Sequence, residues 1–330
     1  MKTHGKNPLC RVGIIGTGKH GSRYANHLIR DVDGLELTAI SRRSEQGKQQ
    51  AQEWHCRYFA DWQELVQSAH VSCVVAAVPP TMNLGIAQAC AQAGKPLLLE
   101  KPLAGSLEDA RAIVALEQEQ GLKLTTGQTL RYNAVVQRLK SNVSQLGKLH
   151  TFSANQRLEP STLGWHEEPE RAGAGVSYHT AVHVFDALFF ITGLNVSKVA
   201  AVARSHNNRS LEDVLAVLVE LEDGVVGTVD CSKVGTARSG LFEFVGENGQ
   251  LLGEQIYNSC TKIEGQNRID LSPPEPVNTI VPLLQDWQKY LTGVGKNPVT
   301  GRDGLRSVQI CAACLEAAQK QEWVQIEQLP

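Results

Sequence analysis

Up to about residue 126, short apolar runs alternate with stretches in which apolar residues recur every three or four positions. The runs predict strands near residues 11–15, 35–41, 71–78, 96–100 and 123–126, and the amphipathic stretches predict helices near 21–30, 44–54, 61–68, 82–93 and 106–120. Strict alternation of the two implies right-handed crossovers and a parallel sheet covered by helices on both faces. Val74-Val75-Ala76-Ala77-Val78 reads as a central strand stopped by Pro79 and Pro80, and Ser106-Leu107-Glu108-Asp109 as a serine cap opening a helix.

Beyond residue 150 the pattern changes to longer runs of period two, Asp213–Leu221, Val225–Ser232 and Leu241–Val245, separated by the turn signals Glu222-Asp223-Gly224 and Glu247-Asn248-Gly249. This predicts an open, mainly antiparallel sheet with one face on helices. Two late helices are expected at about 280–292 and 302–319, before a short strand near 323–326. The predicted fold class is α/β: a doubly wound parallel sheet of Rossmann type over residues 1–128, followed by an α+β domain over residues 129–330.

Composition fits two domains, because 330 residues of which 42% are hydrophobic suffice for two sizeable cores. The net charge is −2 and the Lys and Arg residues are scattered, so the basic footprint of a nucleic-acid or anionic-membrane binder is missing and a small-molecule partner is expected. No apolar run approaches the roughly 20 residues that span a bilayer. Met1-Lys2-Thr3-His4-Gly5-Lys6 leads into Gly13-Ile14-Ile15 without a signal-peptide core, so a soluble, cytoplasmic protein is expected. The eight cysteines are dispersed and suit buried free thiols in a reducing compartment better than a disulfide frame. Cys311 and Cys314, the one close pair, fall in a helical pattern and read as packed neighbours, not as a redox or zinc site.

Candidate chemistry begins at the end of the first strand. Gly16, Gly18 and Gly21 form a Gly-x-Gly-x-x-Gly loop between a strand pattern and a helical one, with Thr17, Lys19 and His20 between the glycines. Such a loop allows a tight turn, brings backbone close to a pyrophosphate and directs a helix N-terminus at its charge. The second strand ends in Ser41-Arg42-Arg43-Ser44, where an acid that grips both adenosine ribose hydroxyls would otherwise stand. Two guanidiniums and two hydroxyls form a 2′-phosphate cradle, favouring NADP over NAD; the competing reading makes Ser44 the N-cap of the next helix.

Two further groups bear chemistry. The apolar run Leu97-Leu98-Leu99 ends in Glu100-Lys101-Pro102, which reads either as a solvated loop rim or as a strand that delivers Lys101 into a cleft. Over residues 177–189, apolar at helical spacing, His179, His183 and Asp186 lie at i, i+4 and i+7 and share a helix face. A neutral imidazole can take an alcohol proton, and a carboxylate nearby can fix its tautomer. Buried, hydrogen-bonded polar groups are one alternative. A metal pair is another, although a zinc-peptidase motif needs Glu directly after the first His and Thr180 stands there; no metal is expected.

The glycine motif, Glu100-Lys101-Pro102 after a parallel strand, Arg131-Tyr132, and the Gly-rich lead into His183-x-x-Asp186 occur in order. Together they resemble the glucose–fructose oxidoreductase/inositol dehydrogenase (Gfo/Idh/MocA) family across nearly the whole chain. The resemblance implies a Rossmann domain, a C-terminal substrate-binding sheet whose open face pairs subunits into homodimers or homotetramers, and an active site in the cleft between the domains. It implies that Lys101 hydrogen-bonds the reacting hydroxyl and Glu100 positions the nicotinamide ribose. Pro102 then follows a cis bond, and Val78 and Pro79 join the cofactor site. His183 becomes the general base or acid, while Arg131 and Trp165 line the pocket of a polyol substrate. Two positions depart from the family pattern: His179 stands where an Asp is usual, and Asn83 where His is frequent. The activity implied is hydride transfer between NADP, or NAD, and a carbinol carbon of a sugar, cyclitol or related polyol. An enzyme that uses a tightly bound cofactor for transient oxidation, and a nucleotide-binding sensor with weakened catalysis, are the alternatives.

Overall fold

A computed structural model describes residues 10–329 apart from Arg209. Met1–Lys6, on which the expectation about a signal peptide rests, lies outside the described residues. The chain forms two compact units. The first contains the residues up to Gln128 together with Thr279–Leu305, and the second contains Thr129–Asn278 and the residues from Arg306 onward.

In the first unit β1 (Cys10–Ile15), α1 (Lys19–Arg30), β2 (Leu35–Ser41), α2 (Gln46–Glu53), β3 (Arg57–Phe59), α3 (Trp62–Gln67), β4 (Cys73–Ala76), α4 (Asn83–Gln92), β5 (Leu97–Glu100), α5 (Leu107–Glu119) and β6 (Leu124–Gly127) alternate. The strands make one parallel sheet in the order β3-β2-β1-β4-β5-β6. The order reverses between β1 and β4, the switch point at which doubly wound sheets bind ligands beyond their strand ends. Burial explains the apolar runs: Val74, Val75, Leu97, Leu98 and Leu99 are all fully buried, as strands covered on both faces must be. The predicted capping serine holds, with Ser106 Oγ accepting from the Asp109 N–H at 3.1 Å. β3 escapes the sequence reading because three residues, Arg57-Tyr58-Phe59, are too few to display a period.

The second unit contains α6 (Ala134–Asn142), β7 (Leu149–Arg157), α7 (Pro169–Ala172), α8 (Val182–Thr192), β8 (Val196–Arg204), β9 (Val214–Leu221), β10 (Val226–Ser232), β11 (Leu241–Gly246), β12 (Gly249–Glu254), β13 (Ser259–Glu264) and β14 (Asn267–Asp270). Its sheet has nine strands with neighbours antiparallel except β7 and β10, which run parallel. β9 alternates between buried Leu215, Val217 and Val219 and the exposed side chains of Ala216 and Leu218, so one sheet face is packed and the other open. Pro169–Thr192 is long and apolar enough to cross a membrane by length and composition, but 83% of its apolar window is buried within the protein. Glu170, Arg171 and Asp186 interrupt it, so the sequence shows no continuous apolar run of about 20 residues there.

The boundary expected at residue 128 describes only part of the division. Thr279–Leu305 return to the first unit through α9 (Ile280–Leu291), in which Trp287 is completely buried. The segment beyond α9 runs beside β6: Thr126 N donates to Val299 O at 3.0 Å, and Asn297 bonds both Thr125 Oγ1 and Leu124 O. These backbone partners of the last strand explain why a stretch so far along the sequence belongs with the first sheet. The chain ends in α10 (Gly301–Lys320) and β15 (Val324–Gln325), which pairs with β8.

Candidate active site

The glycine loop is shaped by contacts that leave no alternative residue. Gly16 has φ +85°, its N–H donates to Ser41 O at 2.9 Å, and a Cβ there would lie 2.5 Å from Ala77 O and 2.7 Å from the Val78 side chain. A Cβ on Gly21 would lie 1.9 Å from Gly16 O, so this position must be bare for α1 to follow β1 closely. Gly18 differs: nothing lies within 4 Å of its Cβ position, and it starts α1 with no side-chain cap and no acid in the first turn. The positive end of a twelve-residue helix thus faces open space over a bare backbone, the arrangement that receives a phosphate. Thr17 is buried against Gln50, whereas Lys19 and His20 are exposed.

Ser41–Ser44 lies beside this loop. Arg42 reaches back to it, donating to Thr17 O (2.9 Å), Ser44 Oγ (2.8 Å), Gln50 Oε1 (3.1 Å) and Gln46 Oε1. All four acceptors are neutral, so the guanidinium is oriented without being neutralised. Arg43 donates to the weak acceptor Met82 Sδ at 3.8 Å. Ser44 does not cap α2: the cap position is Glu45, without a side-chain bond, and Ser44 Oγ serves Arg42 instead.

At the end of β5 the Lys101–Pro102 bond is cis. Glu100 receives the Tyr24 hydroxyl at 2.6 Å on Oε1 and the Lys101 N–H at 3.2 Å on Oε2. Burial pushes the Glu100 carboxyl above its ordinary range against the pull of Lys101 and Tyr24; burial also lowers the Lys101 ammonium, with Glu100 opposing. Tyr24 is raised well above the phenol range by its own burial and by Glu100. Asn83, a departure from the family pattern, holds the turn itself: its Nδ2 donates to Pro102 O (3.2 Å) and Leu103 O (3.1 Å). Neither Tyr24 nor Asn83 was given a role by the sequence. Only its polar hydroxyl on a buried face could have marked Tyr24.

In the second unit the helix expected over 177–189 is present but opens with a π-helical turn, Ser177–Ala181, ahead of α8. Gly175 precedes it because a Cβ there would sit 1.9 Å from Glu212 O, whose residue also receives Ser177 N at 3.0 Å. Asp186 engages both oxygens with Arg131, at 2.8 Å from Nε and 2.7 Å from Nη2, and the pair is buried. This bidentate fork ties α8 to the Thr129–Tyr132 turn, so Asp186 is held by a guanidinium and not left to serve an imidazole alone. His179 is buried and its ring stacks on His166, with centroids 4.1 Å apart and planes 9° from parallel. Trp165 meets both rings edge-on, at 4.1 and 5.4 Å. His166, in the 3-10 turn Gly164–Glu167, was not among the expected residues; an isolated histidine gives no sequence signal. Among the described residues no group of three or more His, Cys, Asp or Glu side chains could hold a metal ion.

The sequence profile described as an oxidoreductase family with an NAD-binding Rossmann fold matches residues 10–128, and its C-terminal alpha/beta domain matches residues 140–326. The chain belongs to the Gfo/Idh/MocA oxidoreductase family. Relatives within and around this family include the 1,5-anhydro-D-fructose reductase of Ensifer adhaerens, 29% identical over 96% of this chain and 98% of that protein. Inositol 2-dehydrogenase 1 of Saccharopolyspora erythraea is 26% identical over 96% of each chain. Among solved structures, levoglucosan dehydrogenase in complex with NADH and levoglucosan superposes with a TM-score of 0.89 at 20% identity, covering 97% of this chain and all of that one, which establishes the shared fold. As a Gfo/Idh/MocA member the protein is an NAD(P)-dependent oxidoreductase, and its own residues fit that cofactor. The bare Gly18 at an uncapped helix start, and the glycines that bring it there, leave room where a pyrophosphate is required.

Proposed function

We propose that this protein moves a hydride between NADP, which it prefers to NAD, and a carbinol carbon of a sugar, cyclitol or related polyol. The observation that carries the reading is Lys101 at the end of β5, its ammonium lowered by burial while Glu100 beside it is held by Tyr24. When bound, the nicotinamide supplies the hydride acceptor or donor. Lys101 donates to the reacting hydroxyl oxygen and stabilises its alkoxide character, and Glu100 positions the nicotinamide ribose. His183, on the first turn of α8, takes the hydroxyl proton in oxidation and returns it in reduction, with His179 four residues before it. Trp165 and His179 line the substrate pocket. Arg131, whose Nε and Nη2 are taken by Asp186, contributes by fixing α8. Relatives named for anhydrofructose, inositol and levoglucosan support a polyol substrate.

Gly16, Thr17, Gly18, Lys19, His20 and Gly21, with Val78 and Pro79, are assigned to the dinucleotide. Ser41, Arg42, Arg43 and Ser44 are assigned to the adenosine ribose and its 2′-phosphate. The NADP preference is supported by Arg42, a cation whose acceptors are all neutral, with no acid at the end of β2. The open sheet face supports a homodimer or homotetramer: Val202, Leu218 and Val226 share it and are 50%, 54% and 49% exposed. The cysteines are free thiols, several deeply buried, which suits a reducing, cytoplasmic location. The reaction is tested by incubating the protein with NADP and a panel of aldoses, cyclitols and anhydrosugars. Release of reduced cofactor, read by its near-ultraviolet absorbance, supports the reading; tight cofactor binding without turnover on any of them supports a sensor instead.

A further inference from the structure

We propose that His166 and His179 act as a pair that holds a single proton near neutral pH, with His166 carrying the charge and keeping the His179 ring neutral four residues before His183. The inference rests on the reading of His183 as the proton-transfer group but is itself built from the ring geometry. Two imidazoles stacked within 9° of parallel at a centroid distance of 4.1 Å cannot both be charged without strong repulsion, so their protons add in two separate steps. A protonated ring lying on a neutral one is, by contrast, a favourable contact.

Surroundings decide which ring takes the first proton. His179 is buried, with 7% of its surface exposed, and burial disfavours its charged form; His166, in the 3-10 turn Gly164–Glu167, is half-buried. Both line a small cavity whose other charged groups are the carboxylates of Glu167, Glu212 and Asp213 and the ammonium of Lys233. Glu212 is bonded to Ser177, Asp213 accepts the backbone N–H groups of His206, Asn207 and Asn208, and neighbouring Glu168 is paired with Arg171. Three carboxylates against one ammonium favour a cation, and they favour it on the more solvated ring. On the helical segment of His179 itself the other titratable groups are Tyr178, His183 and Asp186, the last of them paired with Arg131. A charged ring at 179 would oppose the imidazolium that His183 forms when it accepts a proton, whereas a neutral ring, with one donor and one acceptor nitrogen, would not. His166 is thereby a positioning residue: its stack fixes the His179 plane, and its charge holds His179 neutral.

The test is heteronuclear NMR of the full chain labelled at histidine nitrogens, titrated between pH 5 and 9 (a range bracketing the ordinary imidazole, about 6.5), with resonances assigned by substitution. In the unsubstituted protein the His166 ring protonates first and the His179 ring in a separate step at lower pH. In His166→Phe, which keeps a flat ring but no charge, His179 protonates at higher pH than before, and His166→Gln moves it the same way should the phenyl ring disturb the fold. A purely structural stack predicts no such movement. Equal midpoints for the two rings, or a His179 curve unmoved by both substitutions, overturns the pair whatever the activity shows. The acid limb of kcat/KM in His166→Phe is expected to follow the His179 midpoint upward; a limb that stays put while the NMR midpoint moves overturns the positioning role.

Discussion

Tyr24 donates its hydroxyl to Oε1 of Glu100 at 2.6 Å, joining the first helix after the glycine loop to the strand that delivers Lys101. The bond spans 76 residues and holds a carboxylate that burial would otherwise raise further. It links the segment assigned to the pyrophosphate to the segment assigned to the reacting hydroxyl within one unit.

Removing that donor leaves the carboxylate buried with one partner fewer. Tyr24→Phe is expected to lower unfolding free energy by about 1.5–3 kcal/mol at neutral pH, the range for a hydrogen bond to a charged group. Urea denaturation checks this, and a loss below about 0.5 kcal/mol would show that Glu100 does not depend on the phenol.

Asn83 braces the turn after Lys101 from below, its amide donating to two consecutive carbonyls. Asn83→Ala strands both and is expected to cost about 1–3 kcal/mol and to reduce turnover by more than tenfold through displacement of Lys101. Stability and kcat measured on the same preparation separate the two effects; a stability loss with unchanged kcat would remove Asn83 from the positioning of Lys101.

Arg42 supplies the cofactor prediction. With only neutral acceptors around it, the guanidinium is available to a 2′-phosphate, so Arg42→Ala should raise the KM for NADP at least tenfold and that for NAD less than about threefold, a difference matching one charge-assisted bond. Equal effects on both cofactors would refute the cradle.

Leu218 sits on the open face of the nine-stranded sheet, more than half exposed beside Thr228 and Ala200. If that face pairs copies of the chain, Leu218→Arg buries a charge at the interface and should convert the assembly to monomer in sedimentation velocity. A mass distribution identical to that of the unsubstituted protein would place any interface elsewhere.

What the sequence made legible follows the range of the interactions. The glycine loop could be read because each glycine answers a contact within the strand–turn–helix unit itself, and the parallel sheet because its strands, buried on both faces, are continuous apolar runs. The roles of Tyr24, Asn83 and Arg131 could not, since each is defined by a partner 19 to 76 residues away that shares no local pattern with it. The return of residues 279–305 to the first unit is of the same kind: it is accompanied by backbone and side-chain bonds between β6 and residues 297–300, which no periodicity encodes. Periodicity located the helix bearing His179 and His183 but not the π-helical turn that begins it, because a one-residue change of phase is invisible in so uniformly apolar a segment.

The proposed chemistry depends most directly on Lys101. The measurement is the pH dependence of kcat/KM for hydride transfer with NADP and the most active polyol of the panel, in the unsubstituted protein and in Lys101→Ala. An alkaline limb is expected below the ordinary lysine range, since burial lowers this ammonium and activity falls as pH rises through its deprotonation. A loss of about a hundredfold or more is expected in the substituted protein, on the scale of removing a donor to a developing oxyanion. Turnover within a few-fold of the unsubstituted protein, with the same alkaline limb, would contradict it.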